Sequence, residues 1–112
     1  MAKIECRLKG SFYEILSALN DALLSGSLSA TLEDSSDFVS AGCRCAVRVY
    51  ERYSWMGGNR VSLSLTLLEC GEAIHLSVIT SGGSQAVFFK VNTIGEESFL
   101  NTVRHVVEAY RI

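Results

Sequence analysis

Apolar and polar residues alternate with period two from Val61 to Thr80, which predicts two half-buried strands joined by a tight turn. Val61, Leu63, Leu65 and Leu67 are separated by Ser62, Ser64 and Thr66, and Ile74, Leu76 and Val78 by His75 and Ser77. A two-residue turn at Gly71-Glu72, with glycine first, sets Leu67 opposite Leu76 and Leu65 opposite Val78, so both apolar rows share one face. A slip of one residue would send the rows to opposite faces, and the pattern therefore specifies the register.

The rest of the chain arranges itself around this hairpin. Ile4, Cys6 and Leu8 alternate with Lys3, Glu5, Arg7 and Lys9, which predicts a strand over Ala2–Lys9 with one wet face, closed by Gly10. Ser11 and Glu14 have capping-box spacing ahead of a helix whose stripe is Phe12, Ile15, Leu16, Leu19, Ala22 and Leu23, with Gly26 as its C′ residue. Leu28, Ala30 and Leu32 predict a second strand with those residues inward, ending at the turn-forming run Asp34-Ser35-Ser36-Asp37. Phe38 to Gly42 reads as an irregular lead-in. A longer third strand follows, with Cys43, Cys45, Val47 and Val49 inward and Arg44, Arg48, Tyr50 and Arg52 outward. Matching those inward positions to Val61 and Leu63 requires an odd loop, of three or five residues, around Trp55-Met56-Gly57-Gly58-Asn59. Beyond Thr80 the stretch Ser81–Gln85 is a break, and the apolar run Ala86-Val87-Phe88-Phe89 reads as a short strand. Thr93 and Glu96 have capping-box spacing. The segment from about Gly95 to Tyr110 is the best-defined amphipathic helix, with Phe99, Leu100, Val103, Val106, Val107 and Tyr110 on its apolar face.

The order strand, helix, four or five antiparallel strands, helix predicts a two-layer α+β domain with both helices on one face of the sheet. At 112 residues the chain holds a single domain, residues 1–112. Hydrophobic residues make up 48% and charged residues 20%, the balance of a folded domain rather than a disordered one. A formal net charge of −2 gives no global electrostatic reason to bind nucleic acid or an anionic membrane. No apolar run reaches the roughly 18 residues of a spanning helix, and the alternating first nine positions lead us to expect the cytoplasm. The cysteines, Cys6, Cys43, Cys45 and Cys70, are then expected to be reduced and buried.

That element order, carried by the hairpin Val61–Thr80 and the helix from about Gly95 to Tyr110, resembles the TATA-binding-protein-like fold and a reduced helix-grip fold. The stretches Thr80-Ser81-Gly82-Gly83-Ser84-Gln85 and Gly95-Glu96-Glu97-Ser98-Phe99-Leu100 also resemble those of small bacterial proteins of unknown function. The helix-grip likeness implies an apolar ligand held between the sheet and the last helix.

Several residues carry candidate chemistry, each beside a plainer reading. Cys43-x-Cys45 places two thiols on one strand face, but the spacing lacks a knuckle turn and the other cysteines stand singly, so no metal site is expected. A cysteine nucleophile paired with His75 or His105 has no local motif, and the third-strand assignment puts His75 on the opposite face from Cys43 and Cys45. Ser81-Gly82-Gly83-Ser84 leads into an apolar run rather than a helix, which makes it a turn before an anion cradle. Arg44, Arg48, Tyr50 and Arg52, with Trp55 and Met56 at the loop, form a candidate interaction surface; the alternative is a solvated face. Phe88, Phe89, Phe99, Val103 and Tyr110 either line a pocket or make plain core. The sequence thus leads to a non-catalytic domain binding a small apolar or mixed ligand between sheet and C-terminal helix. The alternative is a homodimeric interaction module using the outer sheet face or an edge strand. Paired carboxylates, nucleophile–base motifs and cofactor signatures do not stand out, so no cofactor is expected.

Overall fold

A computed structural model describes residues 1–26, 29–54, 59–82 and 96–112. The elements are β1 (Ala2–Leu8), α1 (Phe12–Ser25), β2 (Thr31–Ser40), β3 (Cys43–Ser54), β4 (Asn59–Cys70), β5 (Ala73–Gly82), α2 (residues 96–101) and α3 (Arg104–Tyr110). The strands form one antiparallel sheet in the order β1-β5-β4-β3-β2. The α+β class and the run of antiparallel strands between helices are those expected from the alternation.

The β4–β5 hairpin has the expected register: Leu65 faces Val78 and Leu67 faces Leu76, with Gly71 at φ +62° starting the two-residue turn. Val61, Leu63, Leu65, Leu67, Leu76 and Val78 are all buried. At about 1.5–3 kcal/mol for each fully buried aliphatic side chain, this face is the main source of cohesion. α1 lays Phe12, Ile15, Leu19, Ala22 and Leu23 into the same core, and α2 and α3 add Phe99, Leu100, Val103, Val106 and Val107. Ser11 caps α1, its Oγ accepting from the Glu14 amide at 3.5 Å. Gly26 does not take the left-handed conformation expected of a C′ glycine; its φ is −78°. It is required for space, since a Cβ there would lie 2.6 Å from the Ala22 carbonyl oxygen and 3.3 Å from Thr102 Cβ.

Several details differ from the sequence expectation. β2 runs straight through Asp34-Ser35-Ser36-Asp37, and the chain reverses instead at Ala41 and Gly42, whose φ values are +52° and +79°. On an edge strand exposed throughout, Asp and Ser lose little solvation, so ladder pairing with β3 outweighs their turn preference. A register shift between Leu32 and Asp34 absorbs one residue, and Leu32, opposite Tyr50 on the helix side, is exposed rather than buried.

β3 is inverted relative to expectation. Ala46 and Tyr50 are its fully buried residues, opposite Leu67 and Leu63, so the even-numbered residues face the helices and Cys43, Cys45, Val47 and Val49 face away. Ser54 pairs with Asn59, leaving residues 55–58, an even loop. Both parities of this strand carry apolar residues, and the arginines, whose long stems cover apolar surface while their heads reach the periphery, are compatible with the helix side. Finally, the last helix is two. At the corner, the Thr102 and Val103 amides donate at 3.2 Å to the carbonyls of Phe99 and Leu100, and Thr102 Oγ1 donates to the Phe99 carbonyl at 2.8 Å. The hydroxyl draws the turn tight and ends α2. The expected strand over Ala86–Val91 lies outside the described residues.

The ends of the chain are tied to the sheet. Ile112 N donates to the Arg7 carbonyl at 3.1 Å and Lys9 N to the Tyr110 carbonyl at 2.8 Å, so the C-terminal residues cover one end of the β1 edge. Glu96, in α2, is buried and forms a 2.9 Å ion pair with the α-amino group of Met1. No helix among the described residues is long and apolar enough to cross a membrane.

Candidate functional site

Of the two groups of residues singled out from the sequence, the arginine group lies on the opposite face of the sheet from the one expected. Phe99 and Val103 are fully buried and Tyr110 is half-buried, whereas Phe88 and Phe89 lie outside the described residues. Arg44, Arg48, Tyr50 and Arg52 face the helices, so they do not form an outer surface, and Trp55 and Met56 lie outside the described residues.

Each helix-side arginine has its own anchorage. The Arg44 guanidinium lies 5.2 Å from the Tyr13 ring centre and 5.6 Å from that of Phe12, and its Nε is 3.1 Å from Glu69 Oε1. Arg48 pairs with Asp37 at 2.9 Å across the β2–β3 ladder. Arg52 sits over the Phe99 ring at 4.7 Å, and burial pushes its guanidinium below the ordinary arginine range.

Tyr50 is fully buried, and its hydroxyl donates to Asn20 Oδ1 at 2.7 Å, joining β3 to α1. Burial pushes its phenol from the ordinary 10.0 up to about 12, with nearby Arg48 opposing and Asp21 reinforcing the shift. Because the folded state holds this proton more tightly, the stabilisation is complete below pH 10 and is lost as pH rises toward 12. At about 1.4 kcal/mol per pH unit, roughly 2 kcal/mol should disappear across that window. Urea titrations at successive pH values should show this loss, and Tyr50→Phe should flatten it while costing about 1 kcal/mol at neutral pH. The same alkaline slope in both proteins would refute the assignment.

The outer face of the sheet is built from the opposite parity. From β1 to β2 the registers set side by side Glu5, Ser77, Thr66, Val47 and Ser36 in one row, and Arg7, His75, Leu68, Cys45 and Phe38 in the next. The face therefore carries Lys3, Glu5 and Arg7 at β1, a net positive charge, is mostly polar across β5 and β4 apart from Ile79 and Leu68, and is apolar along β3. At β2 it carries Asp34 and, on the far side of Ser36, Phe38, which is 61% exposed. No described helix lies on it.

Inversion of β3 also changes the cysteine chemistry. Cys43 and Cys70 are direct cross-strand neighbours, with Cα atoms 4.4 Å apart, and form a disulfide. Both are half-buried. Cys6 and Cys45 are free, and burial raises the Cys6 thiol above its ordinary value, partly offset by Arg111. The expected set of reduced cysteines is thus corrected: the register brings two of them into bonding distance. His75 and Cys45 do share the outer face, but Leu68 stands between them. Two strand spacings, about 10 Å, rule out a nucleophile–base contact. Among the described residues no group of three His, Cys, Asp or Glu side chains is placed to hold a metal ion.

Two open clefts flank these groups. One, of about 420 Å³, runs along β1, β5 and β4 and is lined by Glu5, Arg7, Thr66, His75 and Ser77 among others. The other, of about 970 Å³, lies at the end of the sheet where Arg7, Lys9, Glu69, Cys70 and Glu72 meet.

No curated protein and no solved structure matches this chain. A family model, described as a family of unknown function (DUF6054), matches residues 1–111, and the chain belongs to that family.

Proposed function

We propose that this chain is a non-catalytic interaction module that pairs with a second copy of itself through the outer face of the sheet. The observation that carries this reading is the apolar column along β3 and its neighbours. Phe38, Cys45, Val47, Val49 and Leu68 stand together, exposed or half-buried, on a face that no described element covers.

Charge supports a second copy as the occupant. The two edges of the face differ in net charge, Lys3 and Arg7 outweighing Glu5 on β1 against Asp34 on β2. A two-fold axis parallel to the strands lays β1 of one copy over β2 of the other, so each basic edge meets an acidic one. We prefer this to an apolar ligand between sheet and helix because Phe99 and Val103, expected to line that pocket, are fully enclosed. The element order keeps its likeness to the TATA-binding-protein-like and helix-grip arrangements as part of the same proposal. The setting we propose is the cytoplasm, where disulfides within reach of small thiols interconvert with thiols rather than persist.

Sedimentation velocity over a wide protein concentration range tests the reading. The parent protein should dimerise, and Val47→Lys with Val49→Lys should be monomeric with an unchanged circular dichroism spectrum. Asp34→Lys should weaken association about tenfold, and combining it with Lys3→Glu and Arg7→Glu should restore it. A parent protein that stays monomeric at the highest concentration would overturn the proposal.

A further inference from the structure

The second cleft has a feature that self-association does not use: one of its walls is a disulfide sulfur. Cys70 lines it together with Arg7, Lys9, Glu69 and Glu72, whereas Cys43, the other half of the bond, is not among its lining residues. Glu69 is engaged by Arg44 at 3.1 Å, so the charges at the cleft wall are Arg7 and Lys9 against Glu72 and the α-carboxylate of Ile112. The two cations complement the two carboxylates of a small zwitterionic molecule, and Glu72 with the Ile112 carboxylate complements its ammonium group. A disulfide approached from one side by such a molecule is attacked at one sulfur only.

We propose that the Cys43–Cys70 disulfide is an exchange site for a zwitterionic low-molecular-weight thiol, bound by Arg7, Lys9 and Glu72 in the cleft that Cys70 lines. In the first step the thiolate of the small molecule forms a bond to Cys70 Sγ as the Cys43–Cys70 bond breaks. The electron pair leaves on Cys43 Sγ, which takes a proton from water. A second thiol molecule then attacks the sulfur of the bound one, departs with it as the small-molecule disulfide, and releases Cys70 as a thiol. The net change is a two-electron reduction of the protein disulfide by two thiols. In reverse, the small-molecule disulfide oxidises Cys70 first and Cys43 resolves the adduct.

Glutathione, a tripeptide thiol with two carboxylates and one ammonium, is the probe, and the uncharged 2-mercaptoethanol is its control. Cys6→Ala and Cys45→Ala remove the other thiols, and dilute protein is used after sedimentation has shown it to be monomeric. Corrected to equal thiolate, glutathione should reduce the disulfide about tenfold faster than the neutral thiol, a gain of the size that electrostatic focusing gives. Arg7→Ala with Lys9→Ala, both exposed positions, should bring that ratio close to one while leaving the 2-mercaptoethanol rate unchanged. High salt should do the same. With Cys43→Ser added, oxidised glutathione should leave a stable adduct that peptide mapping places on Cys70, and Cys70→Ser should react more slowly at Cys43. Equal rates for the two thiols would overturn the proposal. So would preferential adduct formation at Cys43, or four free thiols in parent protein incubated with oxidised glutathione.

Discussion

Phe99→Ala should cost about 3–5 kcal/mol, the range for deleting a large side chain from an enclosed core site. Phe99 is fully buried, and its ring does two things at once. It fills the space under the corner where α2 ends, and it is the platform on which the Arg52 guanidinium lies at 4.7 Å. Truncation therefore leaves both a cavity and a partly desolvated cation without its ring. Phe99→Leu keeps most of the volume but not the π face, and should cost much less, about 1–1.5 kcal/mol. A double-mutant cycle with Arg52→Met separates the two contributions. Coupling of about 0.5–2 kcal/mol belongs to the ring–guanidinium contact, and the remainder to packing. Urea midpoints at constant slope give each value. A loss below about 1.5 kcal/mol for Phe99→Ala would mean that the ring is not enclosed as described.

The importance of Phe99 was legible in the sequence, but the role of Arg52 was not, and the contrast has a physical origin. On β4 and β5 one parity carries the aliphatic residues and the other Ser, Thr and His, so alternation alone determines which side is buried. On β3 both parities are apolar: Cys43, Cys45, Val47 and Val49 on one side, Ala46 and Tyr50 on the other. Charge then acts as the tie-breaker, and it misleads, because Arg44 and Arg52 lie over aromatic rings at the rim of the core instead of in open water. Tyr50 carried a usable signal. A large ring four residues after Ala46, with a hydroxyl able to reach Asn20 on α1, fits the helix side at least as well as the solvent side. The Asp34–Asp37 run misled for a related reason: local turn preference is measured without a neighbour, and β3 supplies one.

The disulfide was hidden for the same cause, and its removal is the other large effect to expect. Pairing Cys43 with Cys70 requires the β3–β4 register, which depends on the parity of the loop between Ser54 and Asn59, and no spacing of cysteines reveals that. The bond spans 27 residues of chain, for which the loop-closure relation gives about 3.5 kcal/mol through the unfolded state. Cys43→Ser with Cys70→Ser should lower stability by about that amount relative to oxidised protein, and should make it indifferent to reductant. The loss should also be uneven. Cys43 follows the turn at Ala41–Gly42 and Cys70 precedes the one at Gly71–Glu72, so the bond fastens two neighbouring hairpin ends together at one corner of the sheet. The other end of the same strand pair rests on the buried residues Tyr50, Val61 and Leu63 and needs no such tie. Amide exchange in reduced protein should therefore accelerate around Cys43, Arg44, Glu69 and Cys70 while Tyr50 and Leu63 stay protected. Uniform acceleration would place the bond's effect in the whole domain, and an unchanged denaturant midpoint on reduction would show that the two sulfurs are not joined in solution.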